Sequence, residues 1–243
     1  MTDNFDVFGG REIVVTALVG SHNYNLNTPS SDEDYKYFVA PNFDDLWAGK
    51  RFSTAKQTDT FDYDCHDIRQ LSELLWKANL NFVEILFSRR LTYSNELEWI
   101  FKNAHALSTM NLPAFKGCVM GMHYEKMAHL LDGTAKTDIL VSRFGYDTKQ
   151  ACHAMRCLYV LERVAGGMSV ENALWFETDS YFQKRLLEIK AGELTEAEFR
   201  ELVQDWHLTF GADVAAWFAQ TKANESLKVE LDQIVKNFVR SRV

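Results

Sequence analysis

The apolar positions change period along the chain. Residues 12–19 (EIVVTALV) form a β-branched run that stops at Gly20, which predicts a buried strand. Residues 34–40 (DYKYFVA) predict a second strand, ended by Pro41. Residues 58–64 (TDTFDYD) alternate polar and aromatic side chains and predict a third. From Asp67 the period becomes helical: Ile68, Leu71, Leu74, Leu75 and Ala78 fall on one face. A turn and a short helix follow in NLNFVEILF.

Beyond about Ser94 every segment reads as helix. Pro113 suits a helix start. Asp147 is placed to cap a helix running to Gly166-Gly167, and Asp179 one ending near Gly192. Thr195 and Glu198 make a capping box, and Phe199, Val203, Trp206 and Phe210 form a core-facing stripe behind it. The expected fold class is α+β, with a small mixed sheet and helices over residues 1–92 and an all-helical region over 93–243.

Composition narrows the classes. The chain has 243 residues, 47% of them hydrophobic, with three prolines and no Ser/Gly tract. That excludes a disordered chain and a flexible linker. Cys65, Cys118, Cys152 and Cys157 include no C-x-x-C pair and no zinc spacing, as expected of reduced thiols in a cytoplasmic protein. No apolar run is long enough to span a bilayer, and no signal peptide is read. The net charge is −8, which argues against a surface-wide nucleic-acid footprint. Charge is segregated, however. Residues 1–50 carry three Lys/Arg against eight Asp/Glu, and residues 114–170 carry seven against five.

The chemistry concentrates in residues 20–34, GSHNYNLNTPSSDED. On a strand, residues i and i+2 share a face, so Asp32 and Asp34 point together and Glu33 points away. Two carboxylates on one face repel unless a cation sits between them, and hard oxygen donors suit Mg²⁺ or Mn²⁺. Asp62 or Asp64 offers a third acid for a metal cluster that clamps a phosphoryl displacement. Gly20 lets the backbone approach a phosphate, and the amides of the turn and the Ser21 hydroxyl supply donors. Lys36 is assigned to the opposite strand face. Asn79, Asn81 and Glu84 are assigned to capping and packing of the short helix. A lone D-x-D or Gly-Ser says little; the ordered combination of strand, Gly-Ser, loop, Asp-x-Asp and acidic strand says more.

That combination resembles the Gly-Ser…Ser-Asp-x-Asp signature of the DNA polymerase β superfamily of nucleotidyltransferases. It is closest to the branch of predicted nucleotidyltransferases that includes YcgL-like proteins and the polymerase-β-like proteins associated with RNA ligases. Two further stretches resemble that branch: DYDCHDIRQLSELLWKANLNFVEILF and FGYDTKQACHAMRCLYVLE. The resemblance covers about residues 13–161. It implies Gly20 and Ser21 as the phosphate turn, and Asp32, Asp34 and Asp62 as metal ligands and catalytic acids, Asp62 standing five residues before Asp67-Ile68-Arg69. Three departures stand out: Asn25 in place of glycine, Gln70 in place of lysine and Leu80 in place of proline. Asn25 is the residue next most tolerant of left-handed backbone.

Lys149, His153 and Arg156 lie at i, i+4 and i+7, on one face of the expected helix. A solvated basic face explains them as a pattern; the resemblance implies contacts to the phosphates of a nucleoside triphosphate such as ATP. Arg143 and Tyr146, just ahead, are candidates to flank a base. The function implied is metal-dependent transfer of a nucleoside monophosphate from a triphosphate to an acceptor hydroxyl, with release of pyrophosphate. The acceptor is open, RNA among the candidates. The competing class is a nucleotide-binding or sensing module that has lost turnover.

Overall fold

The computed structural model describes residues 8–29, 31–57, 61–134 and 137–242. The chain divides into two compact units, Met1–Asn111 with Ala223–Val243, and Leu112–Lys222. The seam therefore lies beyond residue 92, and the first unit is closed by the end of the chain.

The first unit is built on a five-stranded mixed sheet, in the order β3-β4-β2-β1-β5. Its strands are β1 (Ile13–Val19), β2 (Glu33–Val39), β3 (Ser53–Gln57), β4 (Phe61–Asp67) and β5 (Leu91–Tyr93). β1 runs antiparallel to β2 and β5, β3 antiparallel to β4, and β2 parallel to β4. The sheet and the helices of both units make an α+β protein, as the change of period predicts. β3 and β5 are edge strands that the pattern does not announce. STAKQ is nearly all exposed and LTY is three residues long, so neither carries a period-2 apolar signal. Of the strand expected at 58–64, residues 58–60 lie outside the described residues, and the strand observed extends to Asp67.

The core of this unit lies on one face of the sheet. Val15, Ala17 and Phe38 meet Ile68, Leu71 and Leu75 from the segment where the helical period begins. That segment is a 3-10 turn, Ile68–Gln70, followed by the helix Leu71–Trp76. The last helix, Glu225–Arg240, adds Leu231, Val235 and Phe238 to the same core. Their i, i+4, i+7 spacing makes one apolar stripe. Ser72 donates to Asp232, and Arg242 bonds Glu12 (2.9 Å) and Glu96 (3.0 Å), so polar contacts fix the helix at its middle and just past its end.

On the other face of the sheet Phe8, Val39 and Cys65 are buried among Tyr37, Phe52 and Tyr63. Asp67, fully buried, accepts from the Arg69 amide (2.9 Å) and pairs with its guanidinium (2.6 Å). The Asp67-Ile68-Arg69 match is thus a cap and an ion pair. Gln70 donates to the Phe52 carbonyl (3.3 Å). Leu80, where relatives are expected to carry proline, opens the Leu80–Val83 helix behind the Asn79 cap, the position proline favours.

The second unit is helical. Its centre is Thr148–Ala165, which buries residues on every side, including Ala151, Met155, Leu158 and Leu161. It packs against the helices Leu112–Ala128 and Tyr181–Ala191. Asp147 caps it, accepting from the Gln150 amide (2.9 Å), and the Thr195–Glu198 capping box forms as read. Two expectations change. Asp179 has φ 62°, and the cap of Tyr181–Ala191 is Ser180, which accepts from Gln183 (3.2 Å). Phe210 is 41% exposed, because the helix of the stripe ends at Thr209 and the chain turns there. Among the described residues no helix is long and apolar enough to cross a membrane.

Phe238 tests the return of the chain to the first unit. Phe238→Ala should cost about 3–5 kcal/mol, the range for emptying a buried aromatic site. Urea denaturation should show a lower midpoint, while the exposed control Lys236→Ala should change it by less than about 0.5 kcal/mol.

Candidate active site

The parallel register of β2 and β4 builds the site. Asp34 pairs with Asp62, Lys36 with Asp64 and Phe38 with His66, all on one face. The row runs from charged to apolar, since Phe38 is fully buried in the core. Asp32 stands two residues before Asp34, just ahead of β2. One carboxylate oxygen from each of Asp32, Asp34 and Asp62 lies within 4.8 Å of the others, and all three residues are partly buried. Hard oxygen donors at this separation fit a divalent cation such as Mg²⁺ or Mn²⁺.

Gly20 belongs to this geometry. It ends β1 with φ 72°, and β1 pairs Val19 with Asp34. A Cβ on Gly20 would clash with Asp34 Oδ2. The glycine is therefore required twice, by its left-handed backbone and by the carboxylate beside it. Ser21 opens the one-turn helix Ser21–Tyr24, which ends at Asn25 with φ 62° and ψ 39°. Asparagine thus supplies the left-handed turn expected of glycine there.

The Gly20 amide is not available to a phosphate. It donates to Oε2 of Glu84 at 3.0 Å, and Glu84 is 2% exposed. Asn23, also buried, accepts from the Arg89 amide (2.9 Å) and reaches the Glu84 carbonyl (3.4 Å). Glu84 anchors the turn rather than only packing its own short helix. Ser21 remains the donor-bearing residue of the pair. The clue in the sequence was a carboxylate inside the apolar stretch NFVEILF, which needs a buried partner.

Lys36 lies on the face of Asp34 and Asp62, not opposite them. It is two residues from Asp34, so strand parity alone places it there. Its ammonium lies 2.8 Å from Asp64 Oδ2 and 4.6 Å from the centre of the Phe82 ring, with the residue 7% exposed. His66, with Nε2 at 3.9 Å, and Lys36 hold the Asp64 carboxyl well below the usual carboxylate range. The two candidates for the third acid are thereby distinguished. Asp62 faces Asp32 and Asp34, and Asp64 is committed to the lysine.

Lys149, His153 and Arg156 fall together on the central helix of the second unit. Lys149 is exposed, His153 partly buried and Arg156 3% exposed. A solvated basic face does not describe a buried arginine. Burial, then Arg156, Lys149, Lys126 and Lys190, press the His153 pKa well below its ordinary value. The cations around His153 come from three helices. Tyr146 does not flank a base: it is fully buried, and its hydroxyl donates to the Leu194 carbonyl (2.9 Å). Arg143 lies over its neighbour Phe144, 4.9 Å from the ring centre.

No family model matches the chain, and no curated protein matches it. Among solved structures it is similar to a nucleotidyltransferase-like protein from Exiguobacterium sibiricum. The two are 16% identical over 95% of this chain and 86% of that one, with a TM-score of 0.30. A superposition that loose carries no argument about activity, and the chemistry must be read from the residues.

Two comparisons test the acids by Mn²⁺ titration. Asp62→Asn should weaken binding on the order of tenfold or more, and Asp64→Asn should leave it within about twofold while lowering stability, because Lys36 stays buried without its partner. Gly20→Ala should cost about 1–2 kcal/mol for the left-handed backbone and also weaken Mn²⁺ binding, since its methyl displaces Asp34.

Proposed function

We propose that the protein is a metal-dependent nucleotidyltransferase of the polymerase-β type. It would move a nucleoside monophosphate from a triphosphate to an acceptor hydroxyl and release pyrophosphate. The observation that carries this reading is the meeting of Asp32, Asp34 and Asp62 within 4.8 Å, beside a glycine whose missing side chain makes room for Asp34. Three carboxylates this close repel one another, and a cation bound among them removes that cost.

In this reading Asp32, Asp34 and Asp62 hold the divalent ions. Bound there, such ions neutralise phosphate charge and acidify an acceptor hydroxyl. The protein residues do the rest. Ser21 donates to a phosphate oxygen from a turn that Glu84 keeps rigid. Asp62, on the strand beside Asp34, accepts the proton of the attacking hydroxyl. Lys36 balances the fourth acid of the row, so that Asp64 does not compete for the metal. In the second unit Lys149, Arg156 and His153 offer two cations and a ring N–H to phosphate oxygens. Such catalysis rests on positioning and charge stabilisation rather than on a covalent intermediate.

The decisive assay is pyrophosphate release from ATP, GTP, CTP and UTP with Mg²⁺ or Mn²⁺, with and without RNA. Asp32→Asn and Asp34→Asn should lower it by on the order of a hundredfold or more with thermal stability retained. Dependence on RNA would identify the acceptor class. Activity unchanged in both variants would refute the reading, and triphosphate binding without release under any condition would select the nucleotide-sensing module instead.

A further inference from the structure

The helical unit holds a cleft of about 370 Å³ that the metal chemistry does not use. Its walls come from the helix Leu112–Ala128 (Lys116, Gly117, Met120 and Tyr124), from the end of Glu196–Thr209 (Trp206 and His207), and from Gly211–Ala219. The volume is that of a small-molecule site.

Three features define what fits. The first is polarity. Lys116, Tyr124 and His207 converge on the cleft, and among the described residues none of these side chains makes a hydrogen bond or ion pair. The indole N–H of Trp206, by contrast, is taken by Glu162 at 2.7 Å. The wall contains no acidic residue, although the chain carries a net charge of −8. A cleft with a free ammonium and no carboxylate selects an anion.

The second feature is aromatic. The rings of Tyr124 and His207 are parallel within 4°, with centres 6.4 Å apart, and Tyr124 is 58% exposed. His123, packed against both rings, is fixed by its Nδ1 contact with the Ala154 carbonyl (3.0 Å). The two parallel rings thus pack against an anchored His123 and present aromatic faces of the kind that stack on a planar ring.

The third is space left open at a cost. Gly117 and Gly121 lie inside a 17-residue helix, where glycine costs about 1 kcal/mol relative to alanine. A Cβ on either would meet nothing within 4 Å, so packing within the chain does not demand them. At Gly117 the open space belongs to the cleft.

We propose that this cleft binds a nucleobase with its adjoining phosphate, the base stacking on Tyr124 and His207 and the phosphate reaching Lys116. A free mononucleotide and one nucleotide of an RNA strand share this chemistry. The proposal is independent of the acid triad and needs no metal.

The test is equilibrium titration of the full chain in EDTA with AMP, with a short oligoribonucleotide and with ribose 5-phosphate. Four proteins are compared: wild type, Gly117→Leu, Tyr124→Leu and the Asp32→Asn/Asp34→Asn/Asp62→Asn variant. Gly117→Leu fills the cleft at an exposed helical position and should not harm folding. AMP or the oligoribonucleotide should bind wild type and the triad variant alike, and roughly tenfold more weakly to each cleft variant. The tighter of the two marks the source. Equal binding of ribose 5-phosphate, no nucleotide binding, or binding that survives Gly117→Leu and Tyr124→Leu would overturn the proposal. Loss only in the triad variant would overturn it too, while leaving the metal-site reading standing.

Discussion

The parallel pairing of β2 with β4 is the constraint on which the rest depends. It sets Asp34 beside Asp62, Lys36 beside Asp64 and Phe38 beside His66. A slip of one residue would send the acids to the aromatic face and Tyr35, Tyr37 and Tyr63 into the core. The buried end of the row forbids that slip, because Phe38 is enclosed with Ile68, Leu71 and the C-terminal helix. Hydrophobic burial at one end of the strands thus fixes carboxylate geometry at the other. The last helix supports the acids without coming from their part of the sequence.

Buried polar pairs do the finer positioning. Glu84 fixes the Gly20 amide, Asp67 holds Arg69, and Lys36 holds Asp64. Each puts an ionisable group where its loss of hydration must be offset by a partner. None of the three is a metal ligand. Together they explain why residues outside the acid triad fall into the stretches that resemble the nucleotidyltransferase branch. Asp67 and Arg69 shape the turn behind the site, and Glu84 shapes the turn in front of it.

The central strands and the acids were legible because their signals are local. The β-branched run ending at Gly20 announces β1, the run ending at Pro41 announces β2, and the spacing of Asp32 and Asp34 announces a shared face. Asn25 was legible for a similar reason, since few residues tolerate φ near +60°. The strand pattern alone leaves Asp62 and Asp64 open, and only the family resemblance points to Asp62. The choice is made by Lys36, 28 positions away, through a register that no local pattern encodes. The position of Lys36 itself followed from parity and was misassigned. The seam between the units was hidden for a different reason. Helical period carries no information about which core a helix joins, so Glu225–Arg240 reads like its neighbours while closing the first unit. Tyr146 misled because an aromatic residue before a basic helix looks like a base platform, whereas its hydroxyl has a carbonyl partner in the interior.

Both units gather like charges, at a cost in electrostatic energy. Asp32, Asp34 and Asp62 crowd negative charge at the start of the interior strands β2 and β4. Lys126, Lys149, Arg156 and Lys190 gather positive charge around His153 and add to the effect of its burial in pressing its pKa down. Within a folded unit such groupings oppose stability, and random surface charge does not favour them. On the proposed reading each crowd has its own counterpart: metal ions answer the acids of the first unit, and an anion answers the bases of the second. Asp64, the carboxylate that would add most to the first crowd, is the one the fold neutralises internally. The sheet thus offers three acids to a cation while keeping a fourth, two residues along the same strand, out of the cluster.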